Sequence, residues 1–230
     1  MSDALRYEVI RFRSLRSTWV LLLTGPVLQF LIAMIWAGHH DMITNARFSQ
    51  SFLGLFLVLV ALPSIAIAVN GFGHEYRYRT ITTTTLTLRA PGRILGAKAI
   101  VAGLCGAVSG ALLVGATLLA EALMDSVPTD TALVGQVLLG SVLFTALCCL
   151  VGLGVAQVSR NGTIALLTMV VFPVIIETGL GFTRISPSAL PFRAAEAFLI
   201  TNRWTLLLPL LAITVVLLGA SWVSLRRRDA

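Results

Sequence analysis

The sequence predicts an all-α, polytopic membrane protein: six transmembrane helices in a single domain over residues 1–230, with both termini on the cytoplasmic side. Three observations carry that prediction. Of the 230 residues, 57% are hydrophobic and only 12% charged, about half the charged fraction of an average soluble chain, and the mean hydropathy is +0.92. Several apolar runs reach or exceed the ~20 residues that cross about 30 Å of hydrocarbon as a helix. Finally, the seventeen basic residues gather in alternate segments between those runs, as a topology set by cytoplasmic Lys and Arg requires. The net charge of +7 would point to nucleic acid in a soluble chain. Here it assigns membrane lipid as the partner of the basic segments, and no nucleic acid.

Residues 4–17 form an amphipathic stretch with Leu5, Val9 and Phe12 on one stripe, Leu15 beside it, and Arg6 and Arg13 on another side. Such a segment is expected to lie along the inner membrane surface. The following run is about twenty residues long without a small-residue cleavage site, so it is expected to stay as the first span rather than act as a signal peptide. That span is Trp19–Gly38, with Trp19 and Trp36 as interfacial anchors and a kink at Pro26. An outer polar loop, His39–Gln50, follows; His39, His40 and Asp41 lack further ligands for a metal. Span two is Ser51–Phe72, with a second kink at Pro63.

Span three runs from Lys98 to Leu123, and its small residues (Gly103, Gly106, Ser109, Gly110, Ala111, Gly115) suit close approach by another helix. A short acidic outer turn, Asp125–Thr131, leads to span four at Ala132–Val158, and Ser159–Gly162 turns the chain tightly on the inner side. Span five starts at Thr163 and contains Pro173 and Glu177. In Thr183–Arg203, the run Pro191–Ile200 places Phe192, Ala195, Phe198 and Leu199 at helical spacing, predicting a short outer helix or re-entrant hairpin. Span six is Trp204–Leu225, ending in Arg226, Arg227 and Arg228. With both termini inside, thirteen of the seventeen basic residues are cytoplasmic. An odd number of spans would place one terminal arginine cluster outside. Cys105, Cys148 and Cys149 lie within apolar runs, without CxxC spacing, and read as packing residues.

The polar stretch 74–98, HEYRYRTITTTTLTLRAPGRILGAK, is the organising element. It carries five of the basic residues and interrupts the apolar pattern on the inner side. No Walker A, HExxH or GxSxG motif occurs, and three scattered histidines build no catalytic site. The chain is therefore not expected to be an enzyme. A channel needs polar or charged rings along its spans, and these are lacking. Glu177 is about fourteen residues into span five, roughly 21 Å from the inner surface. It either faces a pathway or marks the outer end of a short span. Glu121 reads as the outer end of span three.

The basic amphipathic N-terminal segment ending in LRSTW, the six spans, and an inner loop with Glu75-x4-Thr80 and Ala90-Pro91-Gly92-Arg93 before Lys98 together resemble an ABC-2 type ATP-binding-cassette transporter permease, the membrane-spanning subunit, over nearly the whole chain. One position departs: Arg79 stands where that family often has glycine before the threonine. The resemblance implies a bacterial plasma-membrane protein and a coupling region at 74–98 seated on a separate ATP-binding-cassette ATPase subunit. It also implies pairing with a second permease copy or homologue, a homodimer in the simplest case. ATP and Mg would be held by the ATPase, with no cofactor on this chain. On that reading Glu75, Arg77, Arg79, Thr80, Arg89, Pro91, Arg93 and Lys98 serve ATPase coupling, the arginines as charged hydrogen-bond donors. Glu75 pairs with an arginine of the loop or of the N-terminal helix. The expected cargo is a small hydrophobic or amphipathic compound, exported; the alternatives are a self-protection or lipid-handling exporter of the same architecture, or a non-transporting membrane scaffold.

Overall fold

The computed structural model describes residues 2–38, 42–77, 91–181 and 186–226; among these the regular structure is helical throughout. Six helical segments are long and apolar enough to cross a membrane: Arg16–Ala37, Phe56–Tyr76, Gly92–Leu123, Thr131–Ser159, Gly162–Gly181 and Trp204–Leu225. The predicted count and order therefore hold.

α1 (Ser2–Ser14) is broken from α2 (Arg16–Ala37) by Leu15 in an extended conformation. α3 (Thr44–Gln50) occupies part of what reads in sequence as a polar loop, because Phe48 supplies a fully buried anchor and stacks edge-on with Phe52 at 5.6 Å. His39, His40 and Asp41 lie outside the described residues. α4 (Leu55–Arg77) runs five residues past the predicted end of span two, and α5 (Pro91–Leu123) starts seven residues before the predicted start of span three. Both extensions have a cause in packing. Pro91 opens α5 where its missing N–H is not needed, Ile94, Leu95 and Ala97 are buried behind it, and the last turn of α4 is held by ion pairs described below. Helical structure is continuous through Pro26 and Pro63.

α6 (Thr131–Ser159) is the centre of the bundle and packs against α4, α5 and the helices that follow. Its start is capped by Asp130, whose carboxylate accepts the Ala132 and Leu133 amides at 2.9 and 3.2 Å. Asn161 does the same for α7 (Gly162–Val171) through the Thr163 and Ile164 amides, after a turn in which Arg160 takes the left-handed conformation (φ 56°). α7 continues through a π-helical turn, Phe172–Glu177, at Pro173 and ends with Thr178–Gly181. α8 (Pro191–Thr201) is the predicted short helix, and Phe192, Ala195, Phe198 and Leu199 are all buried. A 3-10 turn, Trp204–Leu207, leads into α9 (Leu208–Arg226).

Two of the small residues of span three, Gly106 and Gly110, find a partner within the chain, whereas Ala111 and Gly115 are exposed. A Cβ at Gly106 would come 2.7 Å from the Ala146 Cα, and one at Gly110 would come 2.5 Å from the Ser141 carbonyl oxygen. The α5 and α6 backbones thus touch, and the Ser141 hydroxyl donates to the Gly110 carbonyl at 3.2 Å. Cys105, Cys148 and Cys149 are free and buried, in keeping with a packing role.

Candidate functional site

At the end of the bundle where α1, the close of α4 and the start of α5 meet, three buried charged side chains, Glu8, Glu75 and Lys98, cluster with the half-buried Arg11. Lys98 Nζ lies 2.6 Å from Glu8 Oε1 and 2.6 Å from Glu75 Oε1, and donates to the Gly71 carbonyl at 2.9 Å. Arg11 donates from Nη1 to the Gly71 carbonyl (3.0 Å) and Glu75 Oε1 (3.3 Å), and from Nη2 to the Asn70 carbonyl (2.9 Å). The same guanidinium is 3.7 Å from Glu8 Oε2, one turn earlier on α1. The Lys98 ammonium also sits 5.0 Å above the Phe72 ring. The Lys98 side chain is 1% exposed and that of Glu75 4%.

Burial of charge at this depth is tolerated because the cluster is balanced, two carboxylates against two cations, with helix carbonyls taking further donors. Chemically it is a tie between helices. α4 and α5, which flank residues 78–90, share Lys98–Glu75, and α1 is joined to both through Glu8 and Arg11.

The side that α1 turns to the protein overlaps its apolar stripe only in part, with Leu5 and Phe12 half-buried. Ala4 and Glu8 are buried and Arg11 is partly so, whereas Val9 is 41% exposed. Glu8 carries no motif and is absent from the predicted site. The readable signal is a carboxylate one turn from Phe12, among the arginines of the helix. The predicted pairing of Glu75 with an arginine of the N-terminal helix is present, and the arginine is Arg11.

The other residues assigned to coupling divide into three groups. Arg93 is exposed in the first turn of α5, with Pro91 opening that helix. Arg77 is the last residue of α4. Arg79, Thr80 and Arg89 lie outside the described residues. Glu75 and Lys98 face inward, so a partner at this end reaches them only by moving the helices that carry them. Beside the cluster, Asn70, His74, Tyr76, Arg160, Asn161 and Thr163 line a polar cleft of about 610 Å³. The Tyr76 hydroxyl donates to Gln157 Oε1 at 2.7 Å across it, tying α4 to α6.

Glu177 is fully buried and lines a small recess with Gly54, Val58, Thr178 and Glu196. One oxygen accepts the Phe192 amide at 3.0 Å and the other the Arg193 amide at 2.9 Å. The start of a helix leaves amides without partners, and Glu177 supplies acceptors for two of them, fastening α8 to the end of α7. Glu177 thus anchors α8 four residues before the end of its span. Glu196 of α8 is also buried. Burial pushes its carboxyl up to about 8, with Arg193 and a Gly54 amide pulling it down and Glu177 pushing it up.

Glu121 does lie near the end of its span, but it is 2% exposed rather than solvated. Gln29, which no sequence motif marks, is fully buried and donates from Nε2 to Thr117 Oγ1 (2.9 Å) and the Ser51 carbonyl (3.2 Å). It joins α2, α5 and the end of α3, far along α5 from the ion cluster. No protein-family model and no curated protein matches this chain.

Proposed function

We propose that this chain is the membrane-spanning permease subunit of an ATP-binding-cassette exporter of the ABC-2 type. On this reading it sits in a bacterial plasma membrane with both termini in the cytoplasm, pairs with a second copy, and carries a hydrophobic or amphipathic compound outward. A separate ATPase subunit binds ATP and Mg and docks on residues 74–98.

The observation that carries the reading is the Glu8–Arg11–Glu75–Lys98 cluster. A docking loop transmits force only if the helices on either side of it move as one body. Here the last turn of α4 and the first turns of α5 share a buried ion pair, and the amphipathic α1 is held to the same pair. Displacement of residues 78–90 by an ATPase would therefore reach spans one, two and three together. Exposed Arg93 offers that partner a charged donor at the loop's edge.

The test is co-expression with the candidate ATPase, followed by capture and measurement of ATP hydrolysis with and without this chain. Arg93→Glu is expected to weaken capture, because it reverses charge at the docking edge. Glu75→Ala is expected to preserve capture but uncouple hydrolysis from export. Normal transport by both variants would overturn the assignment, as would an ATPase rate indifferent to the chain and to added hydrophobic compounds.

A further inference from the structure

We propose that the groove between α1, α2 and α5 is a binding site for an anionic phospholipid, with an acyl chain lying against Phe12, Trp19, Leu104 and Val108 and the phosphate held by Arg13 and Arg16. The groove encloses about 270 Å³ and its walls, which also include Val9 and Leu22, are almost wholly apolar. It exists because α1 turns Ala4, Glu8 and Arg11 toward the bundle, which leaves exposed Val9 and half-buried Phe12 to line a gap beside α2 and α5. Phe12 and Trp19 meet edge-on at 6.3 Å across the α1–α2 break and form its roof.

Two arginines are sequence neighbours of the slot's lining residues. Arg13 follows Phe12 and its carbonyl accepts the Trp19 indole N–H at 3.3 Å, and Arg16 precedes Trp19 by one turn of α2. Arg6, Arg13 and Arg16 are all exposed and form no ion pair among the described residues. Arg11, by contrast, is committed to the buried cluster. An apolar slot under two free guanidinium groups matches a molecule with a hydrocarbon tail and an anionic head. An amphipathic helix at the boundary between headgroups and acyl chains places the slot where such tails lie. A second copy of the chain would bring its own arginines to the same rim, and a neutral hydrophobic compound would leave these arginines unmatched. The slot shares Phe12, Val101 and Cys105 with a smaller recess that reaches Glu8, Arg11 and Lys98, so the bound lipid would border the ion cluster.

The proposal rests on the reading above only in placing this end of the bundle at the inner leaflet. The lipid measurement needs no ATPase, so failure of ATPase capture with lipid selectivity intact would remove the transport reading alone. The experiment is native mass spectrometry of the full chain equilibrated with equimolar phosphatidylglycerol and phosphatidylcholine. Retention of phosphatidylglycerol is expected to exceed that of phosphatidylcholine on the order of thirty-fold, about five-fold for each of the two arginines. The double variant Arg13→Gln/Arg16→Gln should abolish the preference, Arg13→Lys/Arg16→Lys should keep most of it, and Leu104→Trp should expel both lipids by filling the slot. Thermal unfolding run alongside identifies any variant that fails to fold, and the single variants Arg13→Gln and Arg16→Gln, each expected to lower the preference about five-fold, carry the test in that event. Equal retention of the two lipids by the wild-type chain would overturn the proposal. So would a preference untouched by the glutamine pair, a Leu104→Trp effect confined to dissociation of a dimer, or displacement of phosphatidylglycerol by an uncharged amphiphile at equal concentration.

Discussion

Replacing Lys98 by methionine is the sharpest probe of the ion cluster, because it removes one charge and keeps the volume of the side chain. In the native arrangement Lys98 Nζ serves two carboxylates at 2.6 Å each while itself 1% exposed. Without it, Glu8 and Glu75 share Arg11 alone, at 3.7 and 3.3 Å, and one buried negative charge is left uncompensated. Removing one partner of a buried ion pair costs about 3–5 kcal/mol, which for a chain of this length lowers the unfolding midpoint by roughly 10 °C. A second substitution separates charge from packing: Lys98→Met with Glu8→Gln leaves Arg11 and Glu75 as a neutral pair. The double variant should therefore recover more than half of the lost stability, an interaction energy of about 2 kcal/mol or more between neighbouring sites. The assay is thermal unfolding in detergent with a double-mutant cycle over Lys98 and Glu8. A Lys98→Met protein as stable as wild type, or strictly additive effects of the two substitutions, would refute the reasoning that the cluster's balance is what holds α1 to α4 and α5.

Three further outcomes follow from other parts of the structure. Glu177→Leu should free the Phe192 and Arg193 amides and cost about 2–3 kcal/mol, read as faster hydrogen exchange confined to α8 while α5 and α6 keep their protection. Gly110→Leu should force apart α5 and α6 where a Cβ already meets the Ser141 carbonyl; a protein still as stable as wild type would show that the two backbones do not touch. Glu196 gives the pH dependence. Its carboxyl is raised by burial to about 8 from the usual value near 4.5, so the folded chain binds the extra proton between those values. Stability should then fall as pH rises from about 4.5 to about 8 and level off above, by about 1.4 kcal/mol per pH unit at most. Glu196→Gln should flatten that slope, as a pH series of unfolding midpoints would record.

Helix number and most helix ends were legible in the linear chain, because they depend on local quantities. A run of apolar residues of bilayer length is a span wherever it sits. Asp130 and Asn161 cap helices through amides two and three residues on, and the spacing of Phe192, Ala195, Phe198 and Leu199 announces α8 without reference to anything distant. The extra turns of α4 and α5 were not legible, since what stabilises them is partnership rather than propensity. Gly73–Arg77 reads as the beginning of a polar loop until Glu75 is seen paired with Lys98. α3 was missed for the same reason, as its single buried aromatic matters only once Phe52 and the bundle stand behind it.

The charged residues divide along the same line. Composition and the lengths of the apolar runs alone predict six apolar helices, and the structure has six of that kind. Which of the charges are buried was decided by the tertiary structure. Glu8 lies 90 residues from Lys98, and Arg11 lies 64 from Glu75. A buried charge is costly unless a counter-charge or hydrogen-bond partners meet it, and no pattern local to α1 reveals that its counter-charges arrive from two other helices. The apolar stripe of α1 predicted an amphipathic helix correctly, but the pull of Glu8 and Arg11 toward Lys98 and Glu75 determined which side of that helix faces the bundle.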